Sequence, residues 1–455
     1  MSTTTGSKMV RIQTSRLVKP LYDDDVDGGS IPPPTTDSIP LNIFDKVTYN
    51  THMAVLYAYR PPTPSNATIE LALRKVLATY RVMAGQLAEN QKGNPVILLN
   101  DHGVKFVEAV VHDSFDKFLP LEMSPLLLDF HPELNHAEEI TLVQLTRFGC
   151  GSLVLGYSSH HHVADAFSAS NFLVAWGRAA RGLELGSVPS MDRSIFWPRV
   201  PPEFGFDHIG VEYRKTKTLS GRIVDRDRFA GSDIVNHKVH FTLDFIAKLK
   251  ARASAGRPNG VAAFSTFVSL VAHLWRAITK ARGLSPIETT SVRISVNGRT
   301  RLSLDPPVPS DFYGNLVLWA FPTARAKELV SRPTGYAAKI IQDAIVRVDD
   351  AYFKSFIDFA SQEAAEGEDG DLVPTADMGK AALWPDLEVD SWLRFPFYEL
   401  DFGGGGPFIF MPSYYPTEGM MFLLPSFLGD GSVDAVVPLF RQNSAVFKQI
   451  CYSLD

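Results

Sequence analysis

The stretch "SSHHHVADAFSASNF", residues 158–172, links an apolar segment to a helical pattern and contains three consecutive histidines. Upstream of it, residues 141–148 and 152–158 predict two strands joined by a short turn. Downstream, Phe172, Leu173 and Trp176 begin an apolar helical face that stops near Gly182. A side chain between a strand end and a buried helix projects towards a cleft on a firmly held backbone, which suits a general base.

The spacing of His160, His161 and His162 does not favour a metal site. Neighbours on a strand point to opposite faces, and helical ligands need a spacing of four residues. His161 and Asp165 could share a helical face, but no further His/Cys cluster lies near them in the sequence. We therefore expect no metal. The residues alone leave two interpretations open, a hydrogen-bonded histidine at a strand end and a general base.

The composition is that of an ordinary soluble protein of two or three domains, with 455 residues and 45% hydrophobic side chains. The net charge of −6 gives no reason to expect a nucleic-acid partner or an anionic membrane surface. No apolar stretch is long enough to span a membrane. Two cysteines cannot form a disulfide framework, which fits a reducing compartment. These features predict a cytoplasmic protein.

Strand and helix patterns are mixed along the whole chain, which favours a two-domain α/β or α+β enzyme. Residues 42–58 read as extended, and residues 263–282 carry a long apolar helical face. Residues 183–235 are rich in Pro, Gly and charged side chains, which is typical of a long connection between two domains. We place an N-terminal domain at 1–195, a crossover segment at 196–235 and a C-terminal domain at 236–455. A strand near 390–402 is expected to exchange between the domains.

Three segments resemble signatures of the plant BAHD acyl-CoA-dependent acyltransferases, in the order found in that family. "HHVAD", residues 161–165, matches the HxxxD motif, and His160 extends it to the HHxxxD pattern of the wider superfamily. "SVNGRTRLSLDPPVPSDFYGN", residues 295–315, resembles an arginine-containing strand followed by a proline loop. "DFGGG", residues 401–405, resembles the DFGWG motif. The resemblance extends over nearly the whole chain.

The resemblance implies an α/β, chloramphenicol acetyltransferase-like fold. Two similar-sized domains, each a mixed β-sheet flanked by helices, would have the active-site channel between them. His161 would be the general base. Asp165 would support the His loop and pair with Arg299 or, as a second candidate, Arg301.

The DFGGG segment is expected to be structural through Asp401, Gly403 and Gly405. Two positions depart from the family pattern: Ala166 replaces a glycine after the motif Asp, and Gly404 replaces the tryptophan of DFGWG. The second change affects loop rigidity more than chemistry, because the family motif is remote from the catalytic histidine.

The N-terminal segment resembles the grass branch whose members acylate agmatine, putrescine or tryptamine. The expected activity is therefore transfer of a hydroxycinnamoyl group from CoA to an amine, without a covalent acyl-enzyme. Acyl-CoA would be a co-substrate, no cofactor would be needed, and the enzyme would be a monomer. The alternatives are O-acylation of a shikimate-type alcohol and a weakly active acyl-CoA-binding member. A condensation domain is disfavoured because no carrier-protein attachment site is recognisable.

Two further sets of residues are candidates for substrate binding. The CoA phosphates could meet Ser265 at the start of the 263–282 helix, or Lys280 and Arg282 at its end. A cationic acceptor would be stabilised by a carboxylate or an aromatic face in its binding pocket. The carboxylates considered for that role are Asp45, Glu388, Asp390 and Glu399.

Overall fold

The computed structural model describes residues 9–22, 37–216, 233–366, 372–377, 379 and 381–454. The chain divides into two compact units. The first unit comprises Met1–Ile195, Pro309–Asn315 and Phe395–Tyr415, and the second comprises Phe196–Val308, Leu316–Arg394 and Pro416–Asp455. In the part of the chain that is described, no helix is long and apolar enough to cross a membrane.

The first unit contains most of the N-terminal elements and one strand from the C-terminal part of the chain. Its elements are β1 (Arg11–Val18), β2 (Ser38–Pro40), α1 (Ile43–Val47), β3 (His52–Tyr59), α2 (Asn66–Thr79), β4 (Gln86–Glu89), β5 (Pro95–Leu98), β6 (Val104–Val111), β7 (Thr141–Phe148), β8 (Leu153–His160), α3 (Ala166–Ala180) and a later strand, Ile409–Pro412.

Among the described residues, the main sheet of the first unit has the order β1-β6-β7-β8-β3, followed by Ile409–Pro412. β6 and β7 are parallel and the other neighbours are antiparallel, so the sheet is mixed. β8 is buried from Leu153 to Ser159, which explains its nearly continuous apolar sequence. The two strands predicted before the histidines are confirmed as β7 and β8.

The second unit contains β9 (Tyr213–Lys215), β10 (Ile234–Phe241), α4 (Leu243–Ala253), α5 (Thr266–Arg282), β11 (Thr289–Asn297), β12 (Val317–Ala320), β13 (Thr323–Arg325), α6 (Ala326–Ser331), α7 (Thr334–Arg347), α8 (Asp350–Glu366), β14 (Leu372–Pro374), β15 (Leu387–Ser391), β17 (Met420–Pro425), β18 (Val433–Phe440) and α9 (Arg441–Ile450), with Ile409–Pro412 of the first unit numbered β16.

The main sheet of the second unit has the order β10-β18-β17-β15-β11-β12 in the described part of the chain. β15 runs parallel to both of its neighbours, and the remaining pairs are antiparallel. The predicted fold class, mixed sheets with helices in two domains, is therefore confirmed. The helix predicted at 263–282 is α5, which Ser265 caps by accepting a hydrogen bond from the N–H of Val268.

Two predicted elements differ from the structure. The strand found near the expected range 390–402 is β15, which ends at Ser391, and Pro396 precedes a short 3₁₀ turn at Phe397–Glu399, so no strand continues to residue 402. The strand that joins the first unit's sheet is β16 instead. The expected crossover segment 196–235 groups with the second unit, and its residues 217–232 lie outside the described residues.

The stretch 42–58, predicted as extended throughout, begins with the helix α1. Asn42 accepts a hydrogen bond from the N–H of Asp45, and the Asp45 carboxylate accepts one from the N–H of Asn42. This reciprocal cap stabilises a helix whose β-branched residues favour a strand. The extended prediction is correct from His52, where β3 begins.

Candidate active site

His160 ends β8, and its ring packs between two other histidine rings. The ring centroids lie 5.0 Å from His52 and 5.2 Å from His162, both edge-on. Burial lowers the pKa of His160 to about 2, and burial lowers the pKa of His162 to about 4. Both imidazoles are therefore neutral, and their burial explains why three adjacent histidines are tolerated.

His161 is held at the end of β8 by its main chain and by one ring nitrogen. Its N–H donates to the carbonyl of Thr51 at 2.9 Å. Its Nδ1 lies 3.1 Å from the hydroxyl of Thr48. Burial lowers the pKa of His161, while the nearby Asp165 carboxylate and a hydrogen bond with the Asn315 side chain oppose that shift. The ring is thus a free base at neutral pH and can accept a proton.

Asp165 begins α3 and caps it. Its Oδ1 accepts a hydrogen bond from the N–H of Ser168 at 3.0 Å, and the residue is 3% exposed. The Ser168 hydroxyl in turn donates to the carbonyl of Gly314 at 3.0 Å. Asp165 therefore fixes the start of the helix that follows His161.

The predicted partners of Asp165 lie in the second unit. The N–H of Arg299 donates to Oδ1 of Asn297 at 2.9 Å. Nη1 of Arg301 donates to the carbonyls of Ile345 and Val348, both at 2.7 Å. The pairing of Asp165 with Arg299 or Arg301 stays a prediction.

A buried ion pair that the sequence did not reveal as part of the site lies beside the His loop. The Asp45 carboxylate accepts a hydrogen bond from Nε of Arg193 at 2.8 Å, with side-chain exposures of 0% and 1%. It also accepts from the N–H and the side-chain amide of Asn315, at 3.0 and 2.9 Å. Asp45 is therefore committed to the interior, and our inclusion of it among carboxylates for the acceptor was wrong.

Asn315 and Arg193 hold the loop that carries His161. Nδ2 of Asn315 donates to the carbonyl of His161 at 2.8 Å, and Nη2 of Arg193 donates to the carbonyl of Val163 at 2.8 Å. These carbonyls lie between a strand and a helix, where no regular ladder satisfies them. The signals for this network were the cap sequence around Asp45 and the Asn that ends "DFYGN".

The DFGGG loop is organised by Asp401. Its Oδ1 accepts hydrogen bonds from the N–H groups of Gly403 at 2.7 Å and Gly405 at 2.9 Å. Both glycines have positive φ, at +109° and +100°, which explains their residue type. A Cβ added at Gly404 would lie 2.1 Å from the carbonyl oxygen of Pro62. The backbone thus approaches too closely for any side chain at this position.

The three predicted CoA-binding residues lie at the two ends of α5. Ser265 is exposed at the N-terminus and Lys280 is exposed near the C-terminus. Arg282 is buried, and its guanidinium donates to both carboxylate oxygens of Glu418 at 2.9 and 2.8 Å and to two main-chain carbonyls. This ion pair removes Arg282 from the candidates for binding phosphate.

Two carboxylates, Glu388 and Asp390, share one face of β15 because they are two residues apart. Arg293 lies beside Glu388 in the parallel register with β11. Burial and the Glu388 carboxylate raise the pKa of Asp390, while Arg293 opposes this shift. Glu399 is exposed in a short 3₁₀ turn. In the described part of the chain, no group of His, Cys, Asp and Glu side chains is arranged to hold a metal ion.

Comparison with known proteins identifies the family. A model of the Transferase family matches residues 30–454. The chain is 50% identical to putrescine hydroxycinnamoyltransferase 3 of Oryza sativa subsp. japonica, over 98% of this chain and 100% of that protein. It is 48% identical to agmatine coumaroyltransferase-1 of Hordeum vulgare, over 98% and 100%.

A solved structure shows the same fold at low sequence identity. TRI101 from F. sporotrichioides, complexed with coenzyme A and T-2, aligns with a TM-score of 0.71 at 16% identity, over 90% of this chain and 97% of that one. The family match over residues 30–454, the relatives and the HxxxD segment that contains His161 and Asp165 all indicate the same family. The chain belongs to the Transferase family, which is the BAHD acyltransferase family that its motifs resemble.

Proposed function

We propose that this enzyme transfers a hydroxycinnamoyl group from a CoA thioester to an amine of the putrescine, agmatine or tryptamine type. The observation that carries the proposal is His161, a half-buried neutral imidazole at the end of β8 whose Nδ1 lies 3.1 Å from the Thr48 hydroxyl. The amine class is supported by two relatives at 50% and 48% identity, whose names contain putrescine and agmatine.

In the proposed reaction, Nε2 of His161 takes a proton from the acceptor nitrogen as that nitrogen attacks the thioester carbonyl. The C–N bond forms, and the C–S bond breaks as the tetrahedral intermediate collapses. The imidazolium then returns the proton to the departing thiolate, which leaves as CoA. Proton transfer of this kind contributes about 10²–10⁴-fold in rate. No covalent acyl-enzyme and no metal or cofactor takes part.

A diamine or guanidine acceptor carries a positive charge away from its reacting nitrogen. We propose that Glu388 and Asp390 receive this charge, because the two carboxylates lie on one face of β15. Burial and the Glu388 carboxylate raise the pKa of Asp390, and a bound cation would lower it again.

The proposal also covers the acyl donor, the cellular location and the oligomeric state. Acyl-CoA is the donor, and Ser265 and Lys280 remain candidates for its phosphates, since a helix N-terminus and a surface ammonium both suit anions. We propose that the enzyme acts as a cytoplasmic monomer. The unpaired Cys150 and Cys451 are consistent with a reducing compartment.

The test is release of free thiol from p-coumaroyl-CoA with agmatine, putrescine, tryptamine, tyramine or shikimate as acceptor. We expect turnover with at least one amine and its loss in His161→Ala. Turnover with shikimate alone would assign the enzyme to O-acylation. CoA-ester binding without thiol release for any acceptor would instead indicate a binding protein.

A matched pair of variants tests the role of the carboxylates. Glu388→Gln should raise KM for agmatine by tenfold or more, because a buried charge partner is lost, and should leave KM for p-coumaroyl-CoA unchanged. Glu399→Gln removes the same charge from an exposed position and should leave both values unchanged. Equal effects of the two substitutions would exclude a direct role for Glu388.

A further inference from the structure

Thr48 directly follows α1, and its side chain contacts the ring of His161. Its hydroxyl lies 3.1 Å from Nδ1 of His161, and the residue is 5% exposed. Asp45, three residues earlier, holds Asn315, which donates to the main-chain carbonyl of His161. One short helix therefore fixes the catalytic histidine through its main chain and through its ring.

A neutral imidazole carries a single hydrogen on one of its two nitrogens, and the partner of each nitrogen influences where that hydrogen lies. The Thr48 hydroxyl, 3.1 Å from Nδ1, is placed to accept a hydrogen bond from an Nδ1–H. In that tautomer the lone pair lies on Nε2, which is the form that the proposed acyl transfer requires.

We propose that Thr48 is a positioning residue for His161, whose hydroxyl holds the imidazole in the Nδ1–H form and so presents Nε2 as the base. This inference rests on the proposed acyl transfer, in which Nε2 receives the proton of the acceptor. The hydroxyl acts through orientation and tautomer, because it contacts Nδ1 of His161 and the proposed proton transfer uses Nε2.

Substitutions at Thr48 separate the hydroxyl from the shape of the side chain. Thr48→Val keeps the volume and removes the hydroxyl, whereas Thr48→Ser keeps the hydroxyl and removes the methyl group. We expect kcat of Thr48→Val to fall about 10- to 100-fold, less than the full contribution of a general base, with KM for both substrates unchanged. Thr48→Ser should remain within about threefold of the parent enzyme.

The tautomer is read in the free enzyme by ¹⁵N NMR of histidine-labelled protein, with His161→Gln used to assign the His161 signals. The parent and Thr48→Ser should show Nδ1–H, and Thr48→Val should shift towards Nε2–H. A side chain with only a packing role would not change this equilibrium. If Thr48→Val does not fold, Thr48→Ser and Thr48→Ala supply the same comparison in a smaller side chain.

Two results would overturn the proposal. One is a Thr48→Val enzyme with the parent's kcat and tautomer, and the other is a Thr48→Ser enzyme as impaired as Thr48→Val. Absence of thiol release by the parent with every amine would refute the proposed function instead. The NMR comparison needs no acceptor, so it decides the role of Thr48 in that case as well.

Discussion

The His161 loop and the DFGGG loop both belong to the first unit, and in both an aspartate accepts hydrogen bonds from N–H groups that follow it. Asp165 is 3% exposed, and the His161 loop is also anchored by the buried Asp45–Arg193 pair. Asp401 has a side-chain exposure of 25%, and Arg181 lies 3.5 Å away with 31% exposure. The same kind of aspartate-to-main-chain hydrogen bonding therefore occurs once in a buried loop and once in a partly exposed loop. The difference in burial determines how much free energy of unfolding should be lost when each loop loses its charged interactions.

The largest difference in free energy of unfolding is expected between Asp45→Asn and Asp401→Asn. The first leaves the Arg193 guanidinium buried without its counter-charge, which costs about 3–5 kcal/mol and should also abolish turnover by releasing the His161 loop. The second weakens a partly exposed pair and should cost less than about 1 kcal/mol. Urea unfolding of both variants measures this difference, and similar midpoints would contradict it.

Asp165→Asn tests whether the His loop is also held by an arginine. Asn caps a helix as well as Asp does, so loss of the cap is not expected. If Arg299 or Arg301 pairs with Asp165, as we predict, the variant should lose about 1–3 kcal/mol because a half-buried guanidinium loses its charged partner. A double-mutant cycle with Arg299→Gln, and one with Arg301→Gln, identifies the partner. An unfolding midpoint equal to that of the parent would refute the pair.

Gly404→Ala tests whether the close approach between the exposed DFGGG loop and the main chain at Pro62 requires a glycine. The added Cβ would lie 2.1 Å from the carbonyl oxygen of Pro62, so the two loops must separate. We expect a loss of about 1–3 kcal/mol with little change in kcat. Gly205→Ala is the control, because among the described residues an added Cβ there meets nothing within 4 Å. Equal stability of the two variants would show that the loop can move away from Pro62 without losing free energy of unfolding.

The pH dependence of activity should follow the acceptor rather than the histidine. Burial lowers the pKa of His161, so the base is already deprotonated at pH 7 and above. An alkylamine has a pKa near 10.4, so its neutral fraction rises about tenfold for each pH unit below that value. With putrescine, kcat/KM should therefore rise from pH 7 to pH 9 in the parent and equally in Asp401→Asn. A flat profile would show that proton loss from the amine does not limit the reaction.

The strands β7 and β8 and the helix α5 could be predicted because each depends on local sequence. Periodicity, caps and a motif are all contained within a few residues. The prediction of an extended segment at residues 42–58 was wrong at its start, because the cap formed by Asn42 and Asp45 outweighed the strand preference of the residues that follow.

Charged residues were the least predictable part of the candidate site. Arg282 and Lys280 looked equivalent at a helix end, but one is buried against Glu418 and the other is exposed. Asp45 looked like a carboxylate available to a cation, but it pairs with Arg193, 148 residues later in the chain. Residue type gives the charge of a side chain, and only the fold shows whether another residue has already neutralised it.

The sequence by itself determined the family and the mixed two-domain fold class, because these depend on motifs and on periodic burial. The tertiary structure alone decided how His161 is held. Asp45 and Thr48 come from α1 and its end, whereas Arg193 and Asn315 come from two other segments far along the chain. Hydrogen bonding among these segments and His161 depends on distances that no local pattern encodes. A general base is defined by the orientation and pKa of one nitrogen, and both are set by such long-range contacts.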